Sequence, residues 1–202
     1  MLTPIAKSWP SEWCLEANSL AIQVLGGYGY TRDFPVEQYW RDNRLNMIHE
    51  GTHGIQAMDL LGRKVLMEGG RGLSLLGTRI DATIARAWNM PDLSGHARAL
   101  DTAWQKVLRA TKSAWSTSQP REALANAVPY MQAFGHTVLA WIWLDVALAV
   151  QLSNATESIA ENVGRMGAMR YFYHYELPKT DAWLQVVSSR DQTCADLPEE
   201  AF

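Results

Sequence analysis

Two short segments carry residue types that can do chemistry. The first, Gln23-Val24-Leu25-Gly26-Gly27-Tyr28-Gly29-Tyr30, places three glycines within four positions. Glycine lets a backbone turn tightly and approach a ligand closely, and N–H groups exposed in such a turn can hold phosphate oxygens. The same pattern is also an ordinary helix stop. The second segment, Ile48-His49-Glu50-Gly51-Thr52-His53-Gly54-Ile55-Gln56, sets a carboxylate in a loop directly before a helical pattern. Thr52 is placed to cap that helix, and Gly51 leaves room beside Glu50 for a ligand facing unpaired N–H groups. Glu50 can then act as a base, although an acid near a helix start can equally just complement the helix dipole. Spacing alone leaves both pairs of readings open.

The elements that must position these segments read as helices throughout. From Ser11 to Leu25 the residues Trp13, Ala17, Leu20, Ala21, Val24 and Leu25 recur at three- and four-residue steps, predicting one buried face, with Gly26 and Gly27 as the stop. Pro35 stands at an expected first helical position with Asp33 as its cap, and Val36, Tyr39 and Trp40 form the inward stripe of a short helix to about Leu45. His53 to Met67 reads as a helix with Ile55, Met58, Leu61 and Val65 on one face, and Gly69, Gly70 and Gly72 then mark a boundary between two units, 1–68 and 73–202.

Beyond the boundary, Leu73, Leu76, Ile80, Ile84, Ala87 and Trp88 define a helix stopped by Pro91, and Ser94 is placed to cap the next, which Ala97, Leu100, Trp104, Val107, Leu108, Thr111 and Trp115 carry to Pro120. Arg121 to Leu152 is helical in spacing, kinked or divided at Pro129. A last helix is expected from about Glu157 to Tyr175, ended by Pro178, with one more short turn over Asp181 to Ser188. No sustained alternating run appears, so the expected class is all-α.

Composition bounds the function. Of 202 residues, 48% are hydrophobic and 19% charged, a globular balance. The net charge of −3 and the lack of a basic block argue against nucleic acid as a partner. Cys14 and Cys194 stand far apart in no metal-binding spacing, so neither a disulfide framework nor a metal site is expected. The apolar run Val138 to Leu152 is short for a membrane span and contains Asp145, which favours a buried core helix over a membrane segment. With no secretory pattern at the start, the cytoplasm is the default. The chain begins as though in mid-domain.

The two segments lie 27 positions apart from Gln23 to Glu50, with Phe34-Pro35-Val36-Glu37 and Arg41-Asp42 between them. In that order they resemble the acyl-CoA dehydrogenases, which carry a Gln-x-x-Gly-Gly-x-Gly-[Tyr/Phe] turn, a Tyr-Pro-Val-Glu-like helix start with a downstream Arg-Asp, and an Ile-x-Glu-Gly-Thr loop. The resemblance is strong over residues 1–68 and implies the C-terminal part of that family's helical bundle. It implies that Glu50 removes the α-proton of an acyl-CoA thioester while the β-hydrogen leaves as hydride to FAD, and that Gly51 lines the substrate. It further implies that Thr52, His53 and Gly54 contact the flavin, and that Gln23, Val24, Leu25, Gly26 and Gly27 hold its adenosine-diphosphate end in a neighbouring subunit. A homodimer or larger assembly, and an electron-transfer flavoprotein as electron acceptor, accompany that reading. A carboxylate of ordinary pKa near 4 is poorly matched to an α-proton, so the resemblance also calls for desolvation of Glu50. His49 departs from a frequent Tyr, and His53 from a frequent Ser or Asn.

Nothing in the chain looks like the family's N-terminal helical domain or central β-domain, so the expectation is a C-terminal piece that is inactive alone and does not retain FAD. Residues 73–202 resemble, more loosely, the helical C-terminal extension of a subgroup that includes enzymes acting on methylthiopropionyl-CoA and some long-chain acyl-CoAs. Its tryptophans, Trp88, Trp104, Trp115, Trp141, Trp143 and Trp183, read as core or as a ligand or subunit surface, and Arg165, Arg170, His174 and Lys179 as a solvated face or a CoA phosphate site. The competing reading is a non-catalytic helical module for dimerisation or partner binding.

Overall fold

A computed structural model describes residues 1–152 and 159–201. It is helical, with no strand among the described residues, as the spacing predicts. The helices are α1 (Thr3–Leu25), α2 (Val36–Asn46), α3 (His53–Asp59), α4 (Met67–Ala87), α5 (Ser94–Ala114), α6 (Pro120–Leu124), α7 (Ala127–Leu152), α8 (Ile159–Tyr171) and α9 (Lys179–Ser189). Wider π-type turns, Leu60–Lys64 and Phe172–Glu176, follow α3 and α8.

The centre of the molecule is α7. Every residue from Tyr130 to Val138 is buried, because α1, α3, α4, α5, α8 and α9 pack around it. A helix enclosed on all sides needs no polar face, which is why this stretch reads as nearly continuous apolar sequence. By length and hydropathy α7 would pass for a membrane span, but 56% of its most apolar window lies inside the protein. It is a core helix, as Asp145 suggests. The expected division near Pro129 is present, but it falls at Ala125 and Asn126, with Pro129 in the first turn of α7. There a missing N–H costs nothing, since first-turn donors have no intrahelical partner.

The glycine boundary is a left-handed turn: Glu68, Gly69 and Gly70 have φ of 51°, 63° and 84°. Glycine makes two of those three positions cheap. The turn does not separate two cores. Ile5, Ala57, Leu60, Leu61 and Val65 join Leu76, Ile80, Leu100, Trp104, Phe134 and Leu148 in one contiguous apolar interior. Of the tryptophans, Trp104 is fully buried and Trp88 exposed under Arg98, while Trp115 and Trp141 donate their indole N–H groups to the Leu61 carbonyl and the Thr83 hydroxyl.

Several local expectations are corrected. The helix expected from Ser11 begins at Thr3 and runs through Pro10, and its buried residues are Pro4, Ile5, Ser8 and Ser11. The predicted stripe is uncovered instead: Leu20 is 56% and Val24 86% exposed. On α2 no residue is buried, and Tyr39 and Trp40 face outward. Ile55 and Met58 are likewise exposed. Pro35 precedes the first helical residue, Asp33 makes no cap, and Ser94 is itself helical, following Leu93. The start of α8 expected near Glu157 lies outside the described residues, and the short turn expected over Asp181 to Ser188 is a full helix, α9.

Candidate functional site

Glu50 sits in the turn between α2 and α3, and its backbone is left-handed, with φ of 54°. Gly51 follows at 91°. A non-glycine residue rarely adopts such a φ, and an isolated strained residue beside a glycine is held by its surroundings. Two hydrogen bonds do the holding. Lys7 on α1 donates to the Gly51 carbonyl at 2.7 Å, and the Gln56 side chain donates back to the Glu50 carbonyl at 2.9 Å. A side chain at Gly51 would lie 3.0 Å from the Gln56 amide and close to Ile55, so the loop is tight there. The Glu50 side chain is exposed; the desolvation that the resemblance calls for is not supplied by this chain.

Thr52 occupies the position before α3 in extended backbone, as expected, but its side chain makes no capping hydrogen bond; only its carbonyl is engaged, by Gln56 N. His53 is the first residue of α3. Its Nε2 lies 2.8 Å from Glu12 on α1, and the amide of Gln132 on α7 donates to the same Glu12 oxygen. Burial raises the Glu12 carboxyl, but the hydrogen bonds from His53 and Gln132 outweigh it and hold the group below the ordinary carboxylate range. His53 Nδ1 is buried without a partner.

A second histidine lies one turn further along α7. His136 is fully enclosed by Trp9, Trp13, Phe172 and Trp183. Its Nδ1 lies 2.9 Å from the Trp9 indole nitrogen and 3.0 Å from the Gln132 carbonyl, so the tautomer decides which of the two it bonds, and its Nε2 lies 3.6 Å from Glu176. Burial is the main influence and pushes its pKa down, toward the neutral imidazole.

The glycine segment is placed elsewhere. Gln23, Val24 and Leu25 form the free end of α1, and Gly26 stops the helix at φ of 60°, with a 3-10 turn over Gly26–Tyr30. Gln23 lies 11 residues along α1 from Glu12, which His53 contacts, and 16 from Lys7, which holds Gly51; at 1.5 Å per residue those spans are about 16 and 24 Å. The chain therefore does not bring the two segments together. Gly26, Gly27 and Gly54 have open space where a side chain would stand, so their backbone is approachable. Gly29 differs: a Cβ there would meet the Ile22 carbonyl at 2.6 Å, so packing explains that glycine.

Lys7, Glu12, Gln132 and His136 escaped the sequence reading. The available signal was Gln132 and His136 themselves, two polar residues one turn apart inside an otherwise apolar helix, which are paired when buried. Of the basic residues of the extension, Lys179 is tied to Glu176 at 2.6 Å and lies over the Trp13 ring.

Comparison with known proteins agrees with this architecture. Residues 1–66 match the family model described as acyl-CoA dehydrogenase, C-terminal domain, and residues 76–198 the one described as acetyl-CoA dehydrogenase C-terminal like. The chain belongs to the acyl-CoA dehydrogenase family. It is 35% identical over 167 residues to a 3-methylmercaptopropionyl-CoA dehydrogenase of Ruegeria pomeroyi, covering 79% of this chain and 28% of that one. Over 212 residues it is 27% identical to a butyryl-CoA dehydrogenase of Syntrophomonas wolfei, covering 98% and 34%. The fold is similar to an acyl-CoA dehydrogenase from Bacillus anthracis crystallised with FAD, with a TM-score of 0.70, 18% identity, and 91% and 32% of the two chains covered. The chain thus spans about a third of the curated relatives' length.

Proposed function

We propose that this chain is the C-terminal part of an FAD-dependent acyl-CoA dehydrogenase in which Glu50 is the base. The observation that carries the reading is the left-handed backbone at Glu50, held by Lys7 and Gln56, with the carboxylate exposed. A positively charged clamp and a side-chain amide fix the main chain on either side of the carboxylate while leaving its oxygens free. That suits a group that must take a proton from an incoming thioester. Gly51, φ 91°, lets the substrate lie beside it.

The residues present fit FAD. The open backbone at Gly26, Gly27 and Gly54 and the unengaged Thr52 hydroxyl are groups a polar ligand can satisfy. FAD, when bound, supplies the acceptor for the hydride that leaves the β-carbon. In this reading Thr52, His53 and Gly54 face it in the same subunit, while Gln23 to Gly27, about 16 Å along α1 from the Glu12 that His53 contacts, serve the site of a neighbouring copy. A homodimer or larger assembly, electron-transfer flavoprotein as electron acceptor and a cytoplasmic setting accompany the proposal. The uncovered faces of α1 and α2 support the view that the remaining domains of the enzyme pack there and close the site around Glu50.

The test is Glu50→Gln in the enzyme completed with its preceding domains. The amide keeps the shape but cannot accept the α-proton, so bound flavin is retained and its bleaching by acyl-CoA is abolished. Bleaching at close to the parental rate would exclude Glu50 as the base.

A further inference from the structure

We infer that Gln132, on the central helix of the extension, is a positioning residue for the Glu50 loop; the inference rests on Glu50 being the base. The two halves of the chain meet in a polar knot that the reaction itself does not require. Gln132 is 7% exposed and engages three side chains: its amide nitrogen donates to Glu12, its oxygen accepts from the Trp13 indole at 3.3 Å, and its nitrogen lies 3.0 Å from His53 Nε2.

The geometry assigns the protons. Glu12 sits below the ordinary carboxylate range and is an acceptor only, so His53 Nε2–H and the Gln132 amide both direct a hydrogen at it. The contact between His53 Nε2 and the Gln132 nitrogen is then a juxtaposition of two donors, held only because the carboxylate lies between them. His53 is the first residue of α3 and stands three positions after Glu50. Its ring fixes the start of that helix, and the start of the helix fixes where the loop leaves it.

The other end of the loop is held by Lys7, five residues before Glu12 on the same helix. The Glu12–His53 pair ties α1 to α3, and Gln132 holds Glu12 and Trp13 in place for it from a third helix, α7. The extension does more than add bulk: one of its buried side chains closes the frame in which the carboxylate is carried. An apolar residue of the same size would fill the space but leave Glu12 and the Trp13 N–H with unmade hydrogen bonds.

The test compares Gln132→Met, which keeps the volume, with Thr137→Val, a control elsewhere on α7 whose hydroxyl bonds only to the Ala133 carbonyl one turn back. In the 202-residue chain, amide hydrogen exchange at residues 56–59, whose N–H groups close the first turns of α3 beginning with Gln56 on the Thr52 carbonyl, should rise at least tenfold in Gln132→Met and stay near wild type in Thr137→Val. In the completed enzyme, with butyryl-CoA and 3-methylmercaptopropionyl-CoA as probe thioesters, Gln132→Met should lower kcat about tenfold with KM little changed. Unchanged exchange in Gln132→Met, or equal loosening in Thr137→Val, would overturn the inference. So would parental turnover of Gln132→Met beside a dead Glu50→Gln enzyme, which spares the base assignment. Turnover by Glu50→Gln would instead bring down the base assignment, and the positioning role with it.

Discussion

Where α1 meets α7, Trp9 packs directly on Gly135. A Cβ at Gly135 would fall 2.0 Å from Trp9 Cδ1 and 2.7 Å from Cγ, atoms near the root of the side chain that cannot swing aside. Gly135→Ala is therefore expected to destabilise the chain by about 2 kcal/mol, the cost of overpacking, even though alanine is the better helix former. A denaturant melt with an unchanged midpoint would show that Trp9 has another place to go. His136, next along α7, gives the molecule a pH response. Its pKa is pushed down by burial among Trp9, Trp13, Phe172 and Trp183, helped by Lys179 and opposed by Glu176 and the Gln132 carbonyl. The folded state then binds fewer protons than the unfolded one below the ordinary histidine value. Its stabilising contribution is complete above about pH 6.5 and is lost as the pH falls toward the folded value. Burial lowers His96 as well, so it adds to the same trend. The Tm should drop between about pH 7.5 and 5.5, and less steeply in His136→Phe; an equal slope in the variant would remove His136 as the source. Glu12 responds lower, its contribution being lost only as the pH falls through and below the ordinary carboxylate range.

At the scale of elements, the chain combines a closed bundle with an open hairpin. Helices α4 to α9 surround their own interior, and α3 with its π turn adds Ala57, Leu60, Leu61 and Val65 to it. In α1 only the first half is covered, and α2 buries nothing. A 73–202 fragment keeps most of the apolar interior and should melt cooperatively with high helical content, at a lower Tm than the whole chain because Trp9 and Leu61 no longer cover α7 and α5. A 1–68 fragment keeps three helices with almost nothing to bury against and should be largely unfolded or aggregated. Circular dichroism melts of the two pieces check this, and a non-cooperative 73–202 would move the boundary away from Gly69.

For the molecule as a whole, the chain carries one edge of each proposed flavin contact and none of the bulk. Gln23 to Gly27 lie at the end of α1 and Thr52 to Gly54 beside its first half, with Thr52, Gly26 and Gly27 exposed to solvent. With so little of the ligand enclosed, binding energy is small. The purified 202-residue chain is expected to be colourless, with no stoichiometric flavin absorbance after passage over a desalting column in the presence of FAD. A yellow protein would mean that the extension supplies contacts of its own.

What the sequence determined by itself is what local chemistry encodes. The helix stops at Gly26 and Gly69, the extended Thr52 before α3, the core stripe of α4 and α5 and the character of α7 all follow from rules that act over a few residues. The order of the glycine turn and the Glu50 loop led to the family for the same reason. On α1 and α2 periodicity read as burial misled, because an apolar stripe such as Leu20 and Val24 is buried only where another element packs on it, and none among the described residues does. Only the tertiary structure decided the rest. Lys7 reaches Gly51 across 44 positions and Gln132 reaches Glu12 across 120, and no local pattern records a partner so far away. Side chains that meet at such separations do so because α1, α3 and α7 converge around a common interior, and that convergence is a property of the packed whole.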